Sequence, residues 1–245
     1  MIKTEFELSF CEVKPCTKVT AIVVAAGRGT RMGKDKQLIE LCGVPVIIRS
    51  ISAFSECDFV DNIVVVANDG NMKEIEKLIA DYNIAKVTDI TLGGDCRENS
   101  VLNGVGRAPD SDIILIHDGA RPLVGTDVIE RVKNAAEMYG AAIPTVPLKD
   151  TVKKIDCDGA VVSTPDRNTL RAVQTPQGFR TEVFKNAVKN CPVSLDTVTD
   201  DSSLVELSGG MVYTVDGDYD NIKITTREDL ILAESILTGG NEKCE

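Results

Sequence analysis

Short apolar runs recur along most of the chain and alternate with polar, amphipathic stretches. Residues 19–26 form a nearly continuous apolar run, and its short length and β-branched residues favour a buried strand over a helix. The same pattern predicts strands at residues 60–66, 86–91, 112–117 and 141–146. Strands that are apolar on both faces are typical of a sheet that helices cover on both sides.

Helical spacing of apolar residues separates these predicted strands. Within residues 71–82, Met72, Ile75 and Ile79 fall on one helical face. Further helices are predicted at residues 45–54, 98–105, 126–139 and 227–237. We expect Thr126 to cap the helix that it begins. Strands and helices that alternate in this way predict an α/β fold with a mainly parallel, twisted sheet flanked by helices.

The regular alternation ends near residue 148. Residues 148–174 are polar and hold two short candidate strands, 151–155 and 160–162, so we expect a protruding β-arm there. Residues 1–18 carry mixed charge and scattered apolar residues, and we treat them as an N-terminal appendage without an assigned role. The predicted domain therefore spans residues 19–240 and includes the arm.

The composition narrows the classes of protein that fit this pattern. Hydrophobic residues make up 43% of the 245 residues and aromatic residues only 4%, so we expect an aliphatic core. The formal net charge of −11 argues against nucleic acid or an anionic membrane as a partner. A single His, and eight Cys without C-x-x-C spacing, argue against a zinc site. We expect a cytoplasmic protein with free thiols, and no apolar run reaches the roughly 20 residues that span a bilayer.

Three loops follow predicted strands at the edge where parallel α/β sheets bind ligands, namely residues 27–36, 93–100 and 118–122. The first loop combines glycines with four cations, Arg28, Arg31, Lys34 and Lys36, and only one acid, Asp35. Glycines let backbone N–H groups approach phosphate oxygens closely. In an acidic protein such a cluster indicates an anionic ligand, although a solvated turn with chance basic residues remains the alternative.

The loop does not match two common phosphate-binding motifs. Five residues separate Gly27 from Gly33, and Asp35 stands where a P-loop has Ser or Thr. The dinucleotide motif G-x-G-x-x-G fails because Met32 occupies its last position. This disfavours an NAD-binding oxidoreductase. The loop alone therefore indicates a phosphate-bearing ligand without specifying a reaction.

Residues 25–32, Ala-Ala-Gly-x-Gly-x-Arg-Met, resemble the nucleotide loop of nucleoside triphosphate transferases that act on sugar and alditol phosphates. Later segments add to this resemblance, at residues 93–101, 117–122, 166–168, 174–179, 199–201 and 220–225. In this order they are similar to the methylerythritol phosphate cytidylyltransferase family, over about residues 19–238. The resemblance implies a Rossmann-like nucleotidyltransferase fold and transfer of CMP from CTP to a polyol phosphate, in isoprenoid precursor synthesis.

Two alternatives remain beside this family. Ribitol 5-phosphate cytidylyltransferases share the early motifs, but residues 165–168 and 173–177 are more similar to the methylerythritol enzymes. A non-catalytic nucleotide-binding protein of the same fold is the second alternative. The chain also departs from the family, because three residues separate Met32 from Lys36 where about five are usual. Lys34 or Lys36 could therefore carry the role of the loop lysine.

The resemblance also implies roles for individual residues. The implied catalytic cations are Arg31, Lys36, Arg167 and Lys223, and the implied ligand of Mg²⁺ is Asp118. The implied nucleotide-binding residues are Ala25, Ala26, Gly27, Gly29, Gly93, Gly94, Asp95 and Ser100. The implied contacts to the polyol phosphate are Arg121, Thr151 and Thr199.

Family resemblance further implies a homodimer. The arm of residues 148–174 crosses to a partner subunit in this family, so Arg167 could serve the neighbouring active site. Two further polar residues, at the start of two of these segments, are interpreted separately. We interpret His117 as structural, and Asp220 as either a second metal ligand or a turn residue.

Overall fold

The computed structural model describes residues 17–27, 35–108 and 110–239. The predictions for residues 1–16, and those for Gly29, Arg31 and Lys34 in the first loop, lie outside the described residues. No helix in the described part of the chain is long and apolar enough to cross a membrane. The five cysteines within it, listed from the N-terminus, are free thiols: Cys42, Cys57, Cys96, Cys157 and Cys191.

The described residues form strands and helices in the alternating order that the sequence predicts. The strands are β1 (Val19–Val24), β2 (Glu40–Leu41), β3 (Val44–Pro45), β4 (Asn62–Ala67), β5 (Val87–Leu92), β6 (Ile113–Asp118), β7 (Ala141–Pro147), β8 (Lys154–Ile155), β9 (Val161–Ser163), β10 (Arg171–Val173), β11 (Gln177–Arg180) and β12 (Tyr213–Asp216). The helices are α1 (Val46–Ser55), α2 (Met72–Asp81), α3 (Arg97–Arg107), α4 (Thr126–Tyr139), α5 (Thr181–Lys189), α6 (Asp201–Leu207) and α7 (Arg227–Gly239).

Eight of the strands form one mixed sheet. Its hydrogen-bonded order is β10-β7-β11-β6-β1-β4-β5, and β12 pairs with β7. The pairs of β1 with β4 and with β6 are parallel, as are β4 with β5 and β12 with β7. Strands β10 and β11 run antiparallel to their neighbours. The prediction of an α/β fold with a mainly parallel sheet is confirmed.

Helices cover both faces of this sheet, which explains why its central strands are apolar throughout. On β1, Ala21 and Val23 point into the core shared with α1 and α4, whereas Ile22 and Val24 point into the core shared with α3 and α5. All six residues of β1 are buried. A strand that is buried on both faces has no polar side, so it reads as a continuous apolar run.

Several predicted elements differ from the structure in detail. The predicted cap at Thr126 is wrong, because Thr126 is the first helical residue and Gly125 precedes it without a side-chain hydrogen bond to the helix. The strand predicted at 60–66 spans Asn62–Ala67. Strands β10, β11 and β12 were not predicted, because they are only three or four residues long and lack a continuous apolar run.

The segment predicted as an arm contains a separate two-stranded antiparallel sheet, β8 with β9. It exposes the side chains of Ile155, Val161 and Val162. The strands are shorter than predicted, since they span Lys154–Ile155 and Val161–Ser163. The end of the segment belongs to the main sheet, where β10 pairs with β7.

Candidate active site

A cleft of about 580 Å³ opens at the carboxyl edge of the sheet, beside β1 and β6. Strand β1 lies at the point where the chain reverses the direction in which it adds strands, since β1 leads to β4 on one side and β5 leads to β6 on the other. Ligands of open α/β sheets bind at such a point. The cleft is lined by Val24, Ala26, Gly27, Lys36, Gln37, Gly94, Asp95, Cys96, Arg97, Ser100, Asp118, Ala120 and Lys223.

Asp118, the last residue of β6, is the central anion of the cleft. Its Oδ2 lies 2.7 Å from Lys223 Nζ and 3.9 Å from Arg121 Nε, and its Oδ1 lies 3.5 Å from Arg97 Nε. Burial alone would raise the pKa of Asp118, but Lys223, Arg97 and Arg121 together hold this pKa well below its usual range. Asp118 is therefore an ionised carboxylate with three described cations around it.

Arg97 also lines the cleft, although no role was predicted for it from the sequence. Its Nη1 and Nη2 donate to the two carboxylate oxygens of Asp201 at 3.0 Å and 2.7 Å. Asp201 is completely buried at the start of α6. Burial opposes the charge of Arg97, but Asp201 and Asp118 raise its pKa above the usual value. This two-point contact fixes the guanidinium plane, and it holds a permanent positive charge beside Asp118.

His117 supports the backbone around Asp118. Its Nε2 donates to the carbonyl oxygen of Arg121 at 3.1 Å, so Nδ1 is the acceptor of the Thr175 hydroxyl at 3.0 Å. The Thr175 Oγ1 in turn accepts the N–H of Asp118 at 3.1 Å. Complete burial lowers the pKa of His117 to about 4. The imidazole is therefore neutral near pH 7, consistent with the structural role that the sequence predicted.

The loop at 93–96 and the start of α3 contribute to the lining of the cleft. Ser100 Oγ accepts the N–H of Gly94 at 3.0 Å and donates to the carbonyl oxygen of Cys96 at 2.9 Å. A side chain at Gly93 would collide with the Ala26 methyl group, and its Cβ would lie 2.7 Å from Ser100 Oγ. Glycine is thus required where this loop crosses the end of β1.

Lys36 lies in a 3-10 turn, Lys36–Leu38, and also lines the cleft. Its Nζ donates to the carbonyl oxygen of Ile224 at 3.3 Å, next to Lys223. Gln37 also lines the cleft and is almost completely buried. Two lysines that are far apart in the sequence therefore approach the same region of the cleft.

The structure brings eight predicted residues to the cleft lining: Ala26, Gly27, Lys36, Gly94, Asp95, Ser100, Asp118 and Lys223. Three other predicted residues lie at its edge. Ala25 is buried and offers its carbonyl oxygen to Asn71 Nδ2, and Gly93 borders the adjoining depression of about 420 Å³. Arg121 lies behind Asp118, where its Nη1 donates to the carbonyl oxygen of Asn221 at 2.6 Å.

Three predicted substrate contacts do not line the cleft of this single chain. Arg167 is exposed, and its Nη1 donates to the carbonyl oxygen of Lys149 at 2.8 Å within the arm segment. Thr151 is exposed in the same segment. Thr199 is also exposed, with its hydroxyl 3.1 Å from Ser203 Oγ.

The residues of the cleft fit a metal ion that shares its ligands with phosphate groups. Among the described residues, no three His, Cys, Asp or Glu side chains cluster as a metal site. Mg²⁺ commonly uses only one or two carboxylates and completes its shell with water and substrate phosphates. Asp118 is ionised and lines the cleft, so it could supply one such ligand. Asp220 is exposed and does not line the cleft.

These features define a class of protein. A sheet edge that presents Lys36, Arg97 and Lys223 in one cleft with Asp118 is suited to bind a polyphosphate, and the loop at residues 93–96 is suited to a base or sugar. This fold and cleft are those of a nucleotidyltransferase. A family model described as "IspD: 2-C-methyl-D-erythritol 4-phosphate cytidylyltransferase" matches residues 19–239. The chain belongs to this family and is a cytidylyltransferase.

Individual relatives agree with the family model. The chain is 44% identical over 221 residues to the 2-C-methyl-D-erythritol 4-phosphate cytidylyltransferase of Clostridium botulinum, covering 89% of this chain and 99% of the relative. It is 46% identical over 220 residues to the protein of the same name from Geobacillus kaustophilus, with 89% and 96% covered. Neither the ribitol 5-phosphate enzymes nor a non-catalytic protein is favoured by these matches.

Solved structures of the same family share the fold. The crystal structure of a 4-diphosphocytidyl-2C-methyl-D-erythritol synthase from Anaerococcus prevotii matches with a TM-score of 0.81 and 33% identity, covering 91% of this chain and 96% of that one. A 2-C-methyl-D-erythritol 4-phosphate cytidylyltransferase from Thermus thermophilus matches with a TM-score of 0.73 and 28% identity, with 91% and 100% covered. The predicted Rossmann-like nucleotidyltransferase fold is confirmed.

Proposed function

We propose that this chain transfers the cytidylyl group of CTP to 2-C-methyl-D-erythritol 4-phosphate and releases pyrophosphate. The product is 4-diphosphocytidyl-2-C-methyl-D-erythritol, in isoprenoid precursor synthesis. The observation that carries the proposal is the charge cluster around Asp118, where Arg97 and Lys223 meet one carboxylate in the cleft that also holds Lys36. Both substrates are polyanions, and their mutual repulsion is the main obstacle to binding them side by side. A cluster of cations offsets this repulsion.

The chemistry needs no general base from the protein. An oxygen of the acceptor's phosphate attacks the α-phosphorus of CTP, and the bond from that phosphorus to the oxygen of the leaving pyrophosphate breaks. A phosphate monoester has a second pKa of about 6 and is largely dianionic at neutral pH. His117 is neutral and held by Arg121 and Thr175, so it offers no free nitrogen to the cleft. Catalysis then rests on positioning and charge stabilisation.

The cations that line the cleft stabilise the charge that develops during the transfer. Lys36 and Lys223 are assigned to the phosphates of the nucleotide and the acceptor, together with Arg31 of the glycine loop. Their support is the position of the two lysines in one cleft lining. Arg97 adds a third cation within the described part of the cleft, and its contact with Asp201 keeps it in place.

The loop at residues 93–96 is assigned to the nucleoside. The hydroxyl of Ser100 already donates to Cys96 and accepts from Gly94, so one of its acceptor positions is left for the 4-amino group of cytosine. Uracil carries a carbonyl oxygen in place of this amino group. Two acceptors, that oxygen and the Ser100 hydroxyl oxygen, would then face each other without a hydrogen bond. Backbone groups of Gly93 and Gly94, with Asp95, are assigned to the base edge and the ribose. Ala25, Ala26, Gly27 and Gly29 are assigned to the rest of the nucleotide.

Mg²⁺ is the proposed cofactor, and Asp118 would hold it together with phosphate oxygens of the substrates. Bound there, the ion would neutralise phosphate charge. Among the described residues, Lys223 contacts Asp118 Oδ2 at 2.7 Å, whereas Arg97 contacts Oδ1 at the longer distance of 3.5 Å. Oδ1 is therefore the better-placed oxygen for a metal.

The acceptor is assigned to Arg121, Thr151, Arg167 and Thr199 in a homodimer. Arg167 and Thr151 belong to the exposed arm segment, and they lie outside the cleft of their own chain. An arm that reaches a second copy would bring Arg167 to the partner's cleft. Arg suits this role because its planar fork of N–H donors matches a phosphate group.

We also propose a cytoplasmic location, without a nucleic acid or membrane partner. The location is supported by the free thiols of the described cysteines, which suit a reducing compartment. The net charge of −11 disfavours binding to polyanionic surfaces. The catalytic domain is assigned to residues 19–240, with residues 1–18 as an appendage.

A substrate panel tests the proposed function. Purified protein with Mg²⁺ is given CTP and one acceptor at a time, and pyrophosphate release is measured. We expect release with 2-C-methyl-D-erythritol 4-phosphate and at least about tenfold lower kcat/KM with ribitol 5-phosphate, or with UTP in place of CTP. Faster turnover with ribitol 5-phosphate would contradict the acceptor assignment, and CTP binding without turnover of any acceptor would contradict catalysis.

A further inference from the structure

The turn that carries Lys36 is held by a polar contact outside the charge cluster. Asp35 precedes the turn Lys36–Leu38 in an extended conformation. Its Oδ1 accepts a hydrogen bond from the Gln37 N–H at 3.0 Å, which caps the turn. Because Lys36 lies between these two residues, the direction in which its side chain leaves the backbone depends on this cap.

The second carboxylate oxygen of Asp35 is bound by a different part of the sheet. Asn71 Nδ2 donates to Asp35 Oδ2 at 2.7 Å and to the carbonyl oxygen of Ala25 at 3.1 Å. Asn71 is completely buried, and its Oδ1 accepts the N–H of Asn68 at 2.8 Å. One side-chain amide therefore joins the end of β1, the loop after β4 and the residue that precedes Lys36.

This amide has little freedom to move. Rotation of the Asn71 side chain would leave a buried polar atom without a partner, which costs about 1–3 kcal/mol in proteins. At its other end, the Lys36 side chain reaches the carbonyl oxygen of Ile224. The lysine is thus fixed through Asp35 at its backbone and through the segment of Lys223 at its ammonium group.

We propose that Asp35 and Asn71 are positioning residues that set the place of the Lys36 ammonium group in the nucleotide cleft. Neither of them lines that cleft, but Asp35 borders the adjoining depression beside Gly93 and Gly94. A variant at Lys36 is therefore needed to separate an effect through Lys36 from a direct contact of Asp35 with the nucleotide. The inference rests on the proposed function, because it assigns Lys36 to the phosphates. Misplacement of a reacting group by about 1 Å can lower the rate on the order of 10²-fold. The loss of this contact should therefore change the rate by a measurable factor.

A double-mutant cycle with Lys36 tests this inference. Asp35→Asn keeps the oxygen that caps the turn and turns an N–H donor toward the Nδ2 of Asn71. We expect kcat/KM for CTP to fall about tenfold in the otherwise unchanged chain. In a Lys36→Ala background the same substitution should cost less than about twofold, because residues that act through one another are not additive.

The chain offers a matched control in Asp61. Its Oδ2 accepts the N–H of Val19 at 2.8 Å, at the opposite edge of the sheet from the cleft. Asp61→Asn makes the same chemical change there, and kcat/KM should stay within about twofold of the unaltered chain. Equal losses from Asp35→Asn in both Lys36 backgrounds would overturn the inference, and so would no loss in the unaltered chain.

Two further measurements keep the result independent of folding and of the acceptor. Asp35→Ser keeps a capping oxygen and removes the oxygen that faces Asn71, so it replaces Asp35→Asn if thermal unfolding shows that the latter is not folded. The cycle is repeated on the dissociation constant of CTP by calorimetry. Coupled losses of CTP affinity without pyrophosphate release would support the positioning role and contradict the proposed function, whereas uncoupled losses would overturn the positioning role.

Discussion

At the scale of single residues, the cleft depends on how one carboxylate is held. Asp118 is bound through its side chain by Lys223 and Arg97, and through its N–H by the hydroxyl of Thr175. His117 fixes that hydroxyl and the carbonyl oxygen of Arg121 at once. A neutral imidazole is the group that allows this arrangement, because its one N–H donates while its other nitrogen accepts.

The neutral state of His117 predicts a pH dependence of stability. Burial lowers its pKa from 6.5 to about 4. Between these values the unfolded chain binds a proton that the folded chain does not, so the free energy of unfolding falls as the pH falls. The contribution of this one group is about 3 kcal/mol between pH 7.5 and pH 4. Denaturant unfolding at several pH values measures it.

The variant His117→Gln isolates this effect from that of the acidic residues. Its amide can donate to Arg121 but does not titrate, so the variant should lose less stability than the unaltered chain between pH 7 and pH 4.5. Parallel stability curves for the two proteins across this range would show that the imidazole is not the group responsible.

Sequence motifs predicted most residues of the cleft but not how they pair. Asp118, Lys223 and Ser100 each stand in a segment that resembles the family, and all three line the cleft. Arg97 and Asp201 also stand in such segments, yet 104 positions separate them in the sequence. A motif gives residue types within a few positions, so it could not predict this ion pair, which depends on how α6 packs beside α3.

At the scale of elements, helix α3 connects the core to the loop at residues 93–96, which is proposed to bind the nucleoside. Its Gly104 lies directly on the sheet, where a Cβ would be 2.6 Å from Ile22 Cγ2 and 2.7 Å from Val66 Cγ2. Ser100 stands one turn earlier on the same helix and closes the loop at Gly94. The distance of α3 from the sheet therefore sets the position of the Ser100 hydroxyl in the cleft.

Paired alanine substitutions on α3 test this packing. Gly104→Ala should lower the free energy of unfolding by about 1–2 kcal/mol, because overpacking outweighs the gain in helix propensity. Gly106→Ala on the same helix meets no atom within 4 Å, so it should raise stability by up to about 1 kcal/mol. Chemical denaturation measures both, and a stabilising effect of Gly104→Ala would contradict the close contact with β1 and β4.

The sequence predicted the elements that have a strong apolar pattern and missed the others. Strands β1, β4 and β6 each have six residues, of which at least five are buried, and all three were predicted. Strand β11 is buried as well, but its sequence Gln-Gly-Phe-Arg has only one large apolar residue. It inserts between β6 and β7 through backbone pairing, which leaves no pattern of side chains along the chain.

At the scale of the whole molecule, the reversal of strand order at β1 sets the location of the cleft. The sequence predicted a site at the carboxyl ends of the strands, because this rule for parallel sheets needs only the order of the elements along the chain. It did not predict the reversal at β1, which depends on how the strands pair. The positions of the residues proposed to bind the acceptor could not be predicted from the order of the elements. Arg167 lies on the exposed arm segment, outside its own cleft, and its proposed contact needs a second chain.

Complementation between two inactive variants tests the proposed exchange of arms. Arg167→Ala and Lys223→Met are co-expressed with different tags, and the mixed dimer is purified. If Arg167 serves the partner's cleft, one of the two sites in the mixed dimer is intact, so we expect about half the activity of the unaltered dimer. Negligible activity of the mixed dimer would show that Arg167 acts in its own chain, and each variant alone provides the baseline.

In the proposed reaction, the acceptor's phosphate attacks the α-phosphorus of CTP within this cleft. The most direct measurement is ³¹P NMR of the product formed from CTP and 2-C-methyl-D-erythritol 4-phosphate whose non-bridging phosphate oxygens are ¹⁸O. Attack by that phosphate predicts one ¹⁸O between the two phosphorus atoms of 4-diphosphocytidyl-2-C-methyl-D-erythritol, seen as an isotope shift of the cytidylyl phosphorus resonance. An unshifted cytidylyl resonance, or CMP as the product, would contradict it.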